Sequence, residues 1–342
     1  MITSLPKAAL LAALLLIAFV VGREIQVRRA GYGLSYNDDD SLWASQHRRI
    51  YAGGAAAGPV FIGSSRIKFD VDLATWTRLT GQAPVQLALT GTSPRPVLTA
   101  LGNDPNFRGT LLVDVTDQLF FAPDGAPQER KAHERLRTWP KWSLAQQASF
   151  WLNEKLESQL VLLDEEELTL NAFFKKLPLP NRPGVWSFPR FADNFATNSP
   201  DRQSAFTESF IRSPAKQTQM KAAWLQLGAA ETKRGAGGDT LLAQFRTIKR
   251  AVDQIRGRGG RVLFLHFPST GAFQVAETRC YPRALFWDRL LAYTHTPGIY
   301  YADYPALAHF DCPEWSHLAP ADAVRFTEAL VPVVEDELRT KN

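Results

Sequence analysis

Five short apolar runs limit what this chain can fold into more than any other feature: PVFIG (59–63), PVQLAL (84–89), TLLVDV (110–115), RVLFLHF (261–267) and GIYYAD (298–303). Each is rich in β-branched or aromatic residues and bounded by Gly, Pro or polar residues, the pattern of a strand. None alternates apolar with polar residues. A strand that reads this way is covered on both faces, as in a parallel sheet flanked by helices. The segments between the runs carry helical spacing: DLATWTRLTG closing on Gly81, SPRPVLTALG, and TLLAQFRTIKRAVDQIRGRGG, which stops at a Gly-rich turn before the fourth run. Alternation of strand and helix predicts an α/β fold, a three-layer α/β/α sandwich around a parallel, doubly wound sheet.

The alternation breaks once. Residues 116–260 separate the third run from the fourth, far beyond an ordinary connection. The stretch reads as helical in QERKAHERLRTW, WSLAQQASFWLNEKLESQLVLL, DEEELTLNAFFKKL and again near Lys216–Leu227, with a Pro-rich loop LPLPNRPGVWSFPRF between. A helical insertion over 122–238 is therefore expected, dividing the α/β domain into 58–121 and 239–342. The Trp and Phe residues of the insertion stand at helical spacing and are expected in its core.

Ahead of the domain, Ala8–Gly22 is apolar and uncharged, preceded by Lys7 and followed by Arg23, Arg28 and Arg29. With Leu5 and Pro6 it approaches the roughly 20 residues that cross a bilayer. No small-x-small cleavage site follows Val21, so residues 1–25 read as a retained transmembrane helix and not as a cleaved signal peptide. The arginines that follow oppose export under the positive-inside rule. Residues 26–57 run basic, then acidic (Asp38, Asp39, Asp40), then Gly/Ala-rich (GGAAAG), the composition of a stalk between membrane and domain. At 45% hydrophobic and 21% charged residues, the remainder is ordinary globular protein, neither polytopic nor disordered.

The formal net charge is +5, without a basic stripe interleaved with aromatics, which suits an anionic surface and speaks against nucleic acid as a partner. No His/Cys/Asp cluster has metal-ligand spacing, so neither a metal nor a cofactor is expected. Cys280 and Cys312 are the only cysteines. In an oxidising compartment they are a possible disulfide across the fifth run; otherwise they are two unrelated thiols.

Chemistry is suggested at both ends of the domain. The first run closes in Gly63-Ser64-Ser65-Arg66, a tight turn at the carboxyl end of a strand, where ligands bind in open α/β sheets. Such a turn is also common as plain structure. After the fifth run comes Asp311-Cys312-Pro313-Glu314-Trp315-Ser316-His317, just before a helical stretch AVRFTEALVPVVEDEL. A histidine with a carboxylate three residues upstream supplies from one loop the base and the orienting acid that a serine nucleophile needs. Arg66 is expected to pair with a carboxylate, and His266 to sit in the core or at the rim. His47, His133, His295 and His309 have no partner spacing.

Taken together, these ends resemble the SGNH (GDSL-like) hydrolase superfamily, whose sheet is flavodoxin-like. The resemblance implies that Ser65 of Gly63-Ser64-Ser65 is the nucleophile. Gly91, in LALTGTSP, matches the oxyanion-hole glycine, beside the Ser65 amide. His317 matches the base of the Asp-x-x-His block, with Glu314 in place of Asp and Asp311 as the reserve acid. The third block departs: where the superfamily carries Gly-x-Asn-Asp, this chain has Asp114-Val115-Thr116-Asp117-Gln118. The Gly-Ser-Ser-Arg form and the single N-terminal anchor narrow the resemblance to the membrane-anchored branch that includes the D-alanine transfer protein and related polysaccharide O-acetylation proteins. It implies a domain outside the cytoplasmic membrane, in the periplasm. It also implies an acyl-esterase or O-acyltransferase, acetyl being the expected group, acting on cell-envelope polysaccharide beside a membrane-bound O-acyltransferase. Two alternatives stand with it: a non-catalytic subunit of the same fold, and a stand-alone carboxylesterase.

Overall fold

The computed structural model describes residues 4–52, 58–177, 188–230 and 237–340. All five apolar runs form strands: β1 (Val60–Ile62), β2 (Val85–Gln86), β3 (Thr110–Asp114), and, after the antiparallel pair β4 (Ala196–Asn198) and β5 (Ser204–Phe206), β6 (Arg261–His266) and β7 (Gly298–Tyr300). Five of them make one parallel sheet in the order β2-β1-β3-β6-β7. The order changes direction between β1 and β3, which opens a crevice at their carboxyl ends.

The helices before β3 are α1 (Leu5–Arg29), α2 (Asp40–Ala52), α3 (Ser65–Asp70), α4 (Leu73–Thr80) and α5 (Arg95–Asn103). Between β3 and β6 follow α6 (Asp117–Phe120), α7 (Pro127–Thr138), α8 (Leu144–Glu157), α9 (Leu170–Lys176), α10 (Glu208–Ile211), α11 (Pro214–Ala230) and α12 (Gly238–Gly257). Last come α13 (Gly271–Cys280), α14 (Trp287–Thr294) and α15 (Pro320–Thr340). The expected punctuation is visible in α4: Asp72 caps the Thr75 amide at 2.7 Å, and Gly81 takes the left-handed conformation at φ 70°. Strand residues sort by parity, as a pleated sheet requires. Val60, Ile62, Leu111, Val113, Val262 and Phe264 pack with residues of α2, α5, α12 and α14, whereas Phe61, Leu112, Leu263 and Leu265 pack with α3, α4 and α15.

The N-terminal region differs from its expected division. α1 has a mean hydropathy of 2.3 and no buried residue in its apolar window, so it is long and apolar enough to cross a membrane. At 1.5 Å per residue its 25 residues span about 37 Å, against a hydrocarbon core of about 30 Å. It runs four residues past the expected boundary at 25, because Glu24 and Arg28 pair across one turn.

Residues 26–52 are not a stalk. Asp40–Ala52 is a helix whose Leu42, Trp43, His47 and Ile50 are buried, and Trp43 donates its indole N–H to the Leu87 carbonyl at 3.0 Å. The remainder of the supposed stalk, 53–57 of GGAAAG, lies outside the described residues, as does most of the Pro-rich loop (178–187).

The insertion is not purely helical either. Its hairpin β4–β5 turns through Ser199–Gln203 with Arg202 at φ 66°, and the strands are three residues each, too short to give a periodic signal. The hairpin locks the insertion to the domain. Arg202 is fully buried, donates to Asp38 Oδ1 at 2.6 Å, and gives its other N–H groups to the Gln86 and Ala88 carbonyls. Lys68, also buried, donates to Asp38 Oδ2 at 2.7 Å. Burial alone would raise the Asp38 pKa, but the Arg202 and Lys68 charges outweigh it and hold the carboxyl well below the usual range.

Candidate active site

The crevice at the carboxyl ends of β1 and β3 brings together the two ends of the sequence. β1 stops at Ile62, and Gly63 is obligatory there: a Cβ would stand 2.4 Å from Asp114 Cβ on the neighbouring strand. Ser64 is then pinned from below, its amide donating to Asp114 Oδ2 at 2.8 Å and its hydroxyl bonded to Thr116 Oγ1 at 2.7 Å. Asp114 is fully buried, and burial pushes its pKa up. The turn leaves Ser65 as the first residue of α3, partly exposed.

The other half of the site is the loop before α15. His317 Nε2 lies 2.8 Å from Ser65 Oγ, and His317 Nδ1 lies 2.8 Å from Glu314 Oε1. Glu314 is fully buried and also accepts the Ser316 and His317 amides, at 3.1 and 2.7 Å, so the loop folds around its own carboxylate. The two residues between acid and base are therefore structural. Trp315 sits in the left-handed region at φ 79°, which costs a non-glycine residue about 1–3 kcal/mol. Its ring packs where a Cβ on Gly271 would stand, and its carbonyl accepts the Thr270 amide at 2.9 Å. A buried carboxyl, Asp70, takes the Leu318 amide at 2.9 Å, and burial raises its pKa well above the usual range.

Sequence reasoning missed the residues that the insertion supplies. Trp224 of α11 donates its indole N–H to Glu314 Oε2, the oxygen that His317 does not use. Phe206 of the insertion and Phe69 of α3 stand 6.1 and 4.5 Å from the His317 ring, giving the imidazole an apolar wall. No spacing rule links residue 224 to 314. Only a packed insertion does.

No protein-family model matches the chain, and no curated protein matches it.

Of the expected site residues, Ser65, His317 and Glu314 meet. Asp311 is exposed, and the imidazole nitrogen it was to hold in reserve is taken by Glu314. Gly91 adopts φ 65° in the loop after β2, two residues beyond Leu89, whose amide donates to the Gly63 carbonyl at 3.0 Å. That bond places Leu89 beside the turn that carries Ser65, while Gly91 itself is exposed. In the third-block position, Thr116 is committed to Ser64 and Asp114, while Asp117 Oδ2 lies 3.3 Å from His266 Nε2. His266 is a buried rim residue stacked on Tyr300 at 4.3 Å. Arg66 is fully buried and donates to Glu277 at 2.6 Å.

The possible disulfide is not made. Cys312 is buried beside Pro268 and Thr270, where α13 begins, and Cys280 is exposed at the far end of that helix. The ten-residue helix, about 14 Å long, thus lies between the Cys312 end and the Cys280 end. A cavity of about 870 Å³ lies at the opposite ends of the strands, lined by Pro59, Thr110 and Arg261, away from Ser65.

Proposed function

We propose that this chain is a membrane-anchored serine acyl-esterase or O-acyltransferase of the SGNH type, its domain outside the cytoplasmic membrane and its substrate an acylated cell-envelope polysaccharide. The observation that carries it is the unbroken relay from Ser65 Oγ through His317 to Glu314, at 2.8 Å in each step. Hydrogen bonds of this length and order are what serine acyl transfer requires. The strand order and the apolar clusters on both sheet faces support a three-layer, flavodoxin-like sandwich of that superfamily.

In the reaction, Ser65 Oγ attacks the acyl carbonyl carbon while its proton passes to His317 Nε2. Glu314, held by its backbone donors and by Trp224, fixes the imidazole and offsets the imidazolium charge. The amides of Ser65 and Gly91 receive the oxyanion. Collapse of the tetrahedral species expels the sugar oxygen, which takes the proton from His317. A water or an acceptor hydroxyl then gives its proton to His317, attacks the Ser65 ester, and restores the free serine. Acetyl is the expected group.

Val115-Thr116-Asp117-Gln118 offers no asparagine to the oxyanion, and the loss of one such donor costs about 2.7–4 kcal/mol of transition-state stabilisation. This favours one second reading, a subunit that keeps the fold without turnover beside a membrane-bound O-acyltransferase. The two readings part on one experiment with the full chain in detergent: labelling by a fluorophosphonate probe. Labelling that disappears in Ser65→Ala supports the enzyme. Absence of labelling in the unsubstituted chain, under conditions where a control serine esterase reacts, overturns it and leaves the subunit.

A further inference from the structure

The insertion carries an amphipathic pattern turned inside out. On α8, Leu144, Ala148, Trp151, Leu152 and Leu156 recur at the spacing of one helical face. That face points away from the protein: Leu144 is 83% exposed, Trp151 62% and Leu152 52%. The face that packs is the polar one. Gln147 and Glu157 bond to the Trp142 carbonyl and the Asn37 side chain, and Phe150 meets Trp142 edge-on at 5.5 Å. α9 repeats the arrangement, with Leu170, Phe173, Phe174 and Leu177 exposed at helical spacing while Ala172 is buried. Two neighbouring helices that both turn their apolar stripes outward expose more than the scattered residues of an ordinary surface.

The position of these stripes identifies what covers them. The segment joining α8 to α9 is bonded directly to the end of α1. Glu24 accepts the Val161 and Leu162 amides at 2.9 and 3.1 Å, and Arg28 donates to the Gln159 carbonyl at 2.8 Å. The apolar run of α1 ends at Gly22, so Glu24 lies about 3 Å further along the helix axis. If α1 crosses a bilayer, this connection sits at the boundary, with the last turn of α8 ending at Glu157 just before it and α9 beginning at Leu170 beyond it. Exposed Trp, Phe and Leu, with Lys155 alone among the stripe of α8, are the side chains that enter the headgroup region.

We infer that α8 and α9 form a monotopic contact with the lipid surface beside the anchor, with Trp151, Leu152, Phe173 and Phe174 in the interfacial layer. The inference rests on α1 crossing the membrane and is independent of any chemistry at Ser65.

The test uses the full chain in lipid nanodiscs, in a Cys280→Ser background. A bimane label is placed in turn at Trp151→Cys, Phe173→Cys, Leu14→Cys within α1, and Arg339→Cys at an exposed helix end. A lipid carrying a shallow doxyl quencher should reduce the emission at 151 and 173 several-fold more than at 339, with 14 reporting that the anchor is inserted. Emission at 151 and 173 no more quenched than at 339, with 14 quenched, overturns the inference. So does a photo-cross-linker at 151 that captures a membrane protein in intact cells while 151 remains unquenched in pure lipid, which would assign the face to a protein partner.

Discussion

The two halves of the insertion have similar aromatic content and opposite fates. In residues 188–230, Phe206 and Trp224 turn inward and close over His317 and Glu314. In residues 144–177, Trp151, Phe173 and Phe174 turn outward. The difference follows from what each half has to rest on. The second half is nailed to the sheet by Arg202, whose guanidinium reaches the carbonyls of the edge strand β2. The first half is held largely through polar groups, at Asn37, at the end of α1 and at Asn194, which leaves its apolar stripes unspent. Composition alone does not separate aromatics that close over Glu314 and His317 from aromatics left on the surface; the fixing points do.

Substitutions can break this contrast in descending order of effect. Ser65→Ala, beside the His317 that the inward half covers, should reduce acyl-ester hydrolysis by at least about a thousandfold, measured as initial rate, while the thermal midpoint stays in place. Arg202→Met removes one partner from a buried ion cluster and should cost about 3–5 kcal/mol of stability in denaturant unfolding. The same cluster sets a pH signature. Asp38 titrates below its unfolded value, so the stability it contributes is complete above the ordinary carboxylate pKa of about 3.9 and is lost as pH falls below it. Arg202→Met should flatten that acid limb.

Trp224→Phe deletes one charge-assisted hydrogen bond to Glu314, worth about 1.5–3 kcal/mol, and should slow the reaction roughly 10- to 100-fold with little change in substrate affinity. Asp70→Asn works in the other direction. Its folded carboxyl holds a proton that the unfolded chain releases, so stability declines as pH rises from the ordinary carboxylate range towards the raised folded value. Asparagine keeps the acceptor for the Leu318 amide and carries no charge, so the variant should gain stability at pH 7 relative to pH 4, read by thermal unfolding. Smallest of all, Trp151→Gln in the outward half should change stability by less than about 0.5 kcal/mol and leave turnover in detergent unaltered.

Much of the scaffold was legible because burial on both faces writes itself into the chain as unbroken apolar runs. All five runs are strands of the sheet, and the α4 cap and stop stand where Asp72 and Gly81 predict them. The meeting of Ser65, His317 and Glu314 was legible for a different reason: each half of the trio depends on a short local segment, a turn after β1 and a loop before α15. What failed to show depends on distance. Trp224 reaches Glu314 across 90 positions, and Arg202 reaches Asp38 across 164. The supposed stalk carried a signal that its charged flanks obscured, since Trp43, His47 and Ile50 already stand at helical spacing.

Three hydrogen bonds tie the end of α1 to residues 159–162 of the body. A protein tethered on a loose leash samples a range of heights above its membrane. If α1 is an anchor as proposed, a bracket here replaces the leash and sets the elevation of Ser65. On the proposed function, an ester would have to come to that level, so reach would select substrates alongside pocket shape.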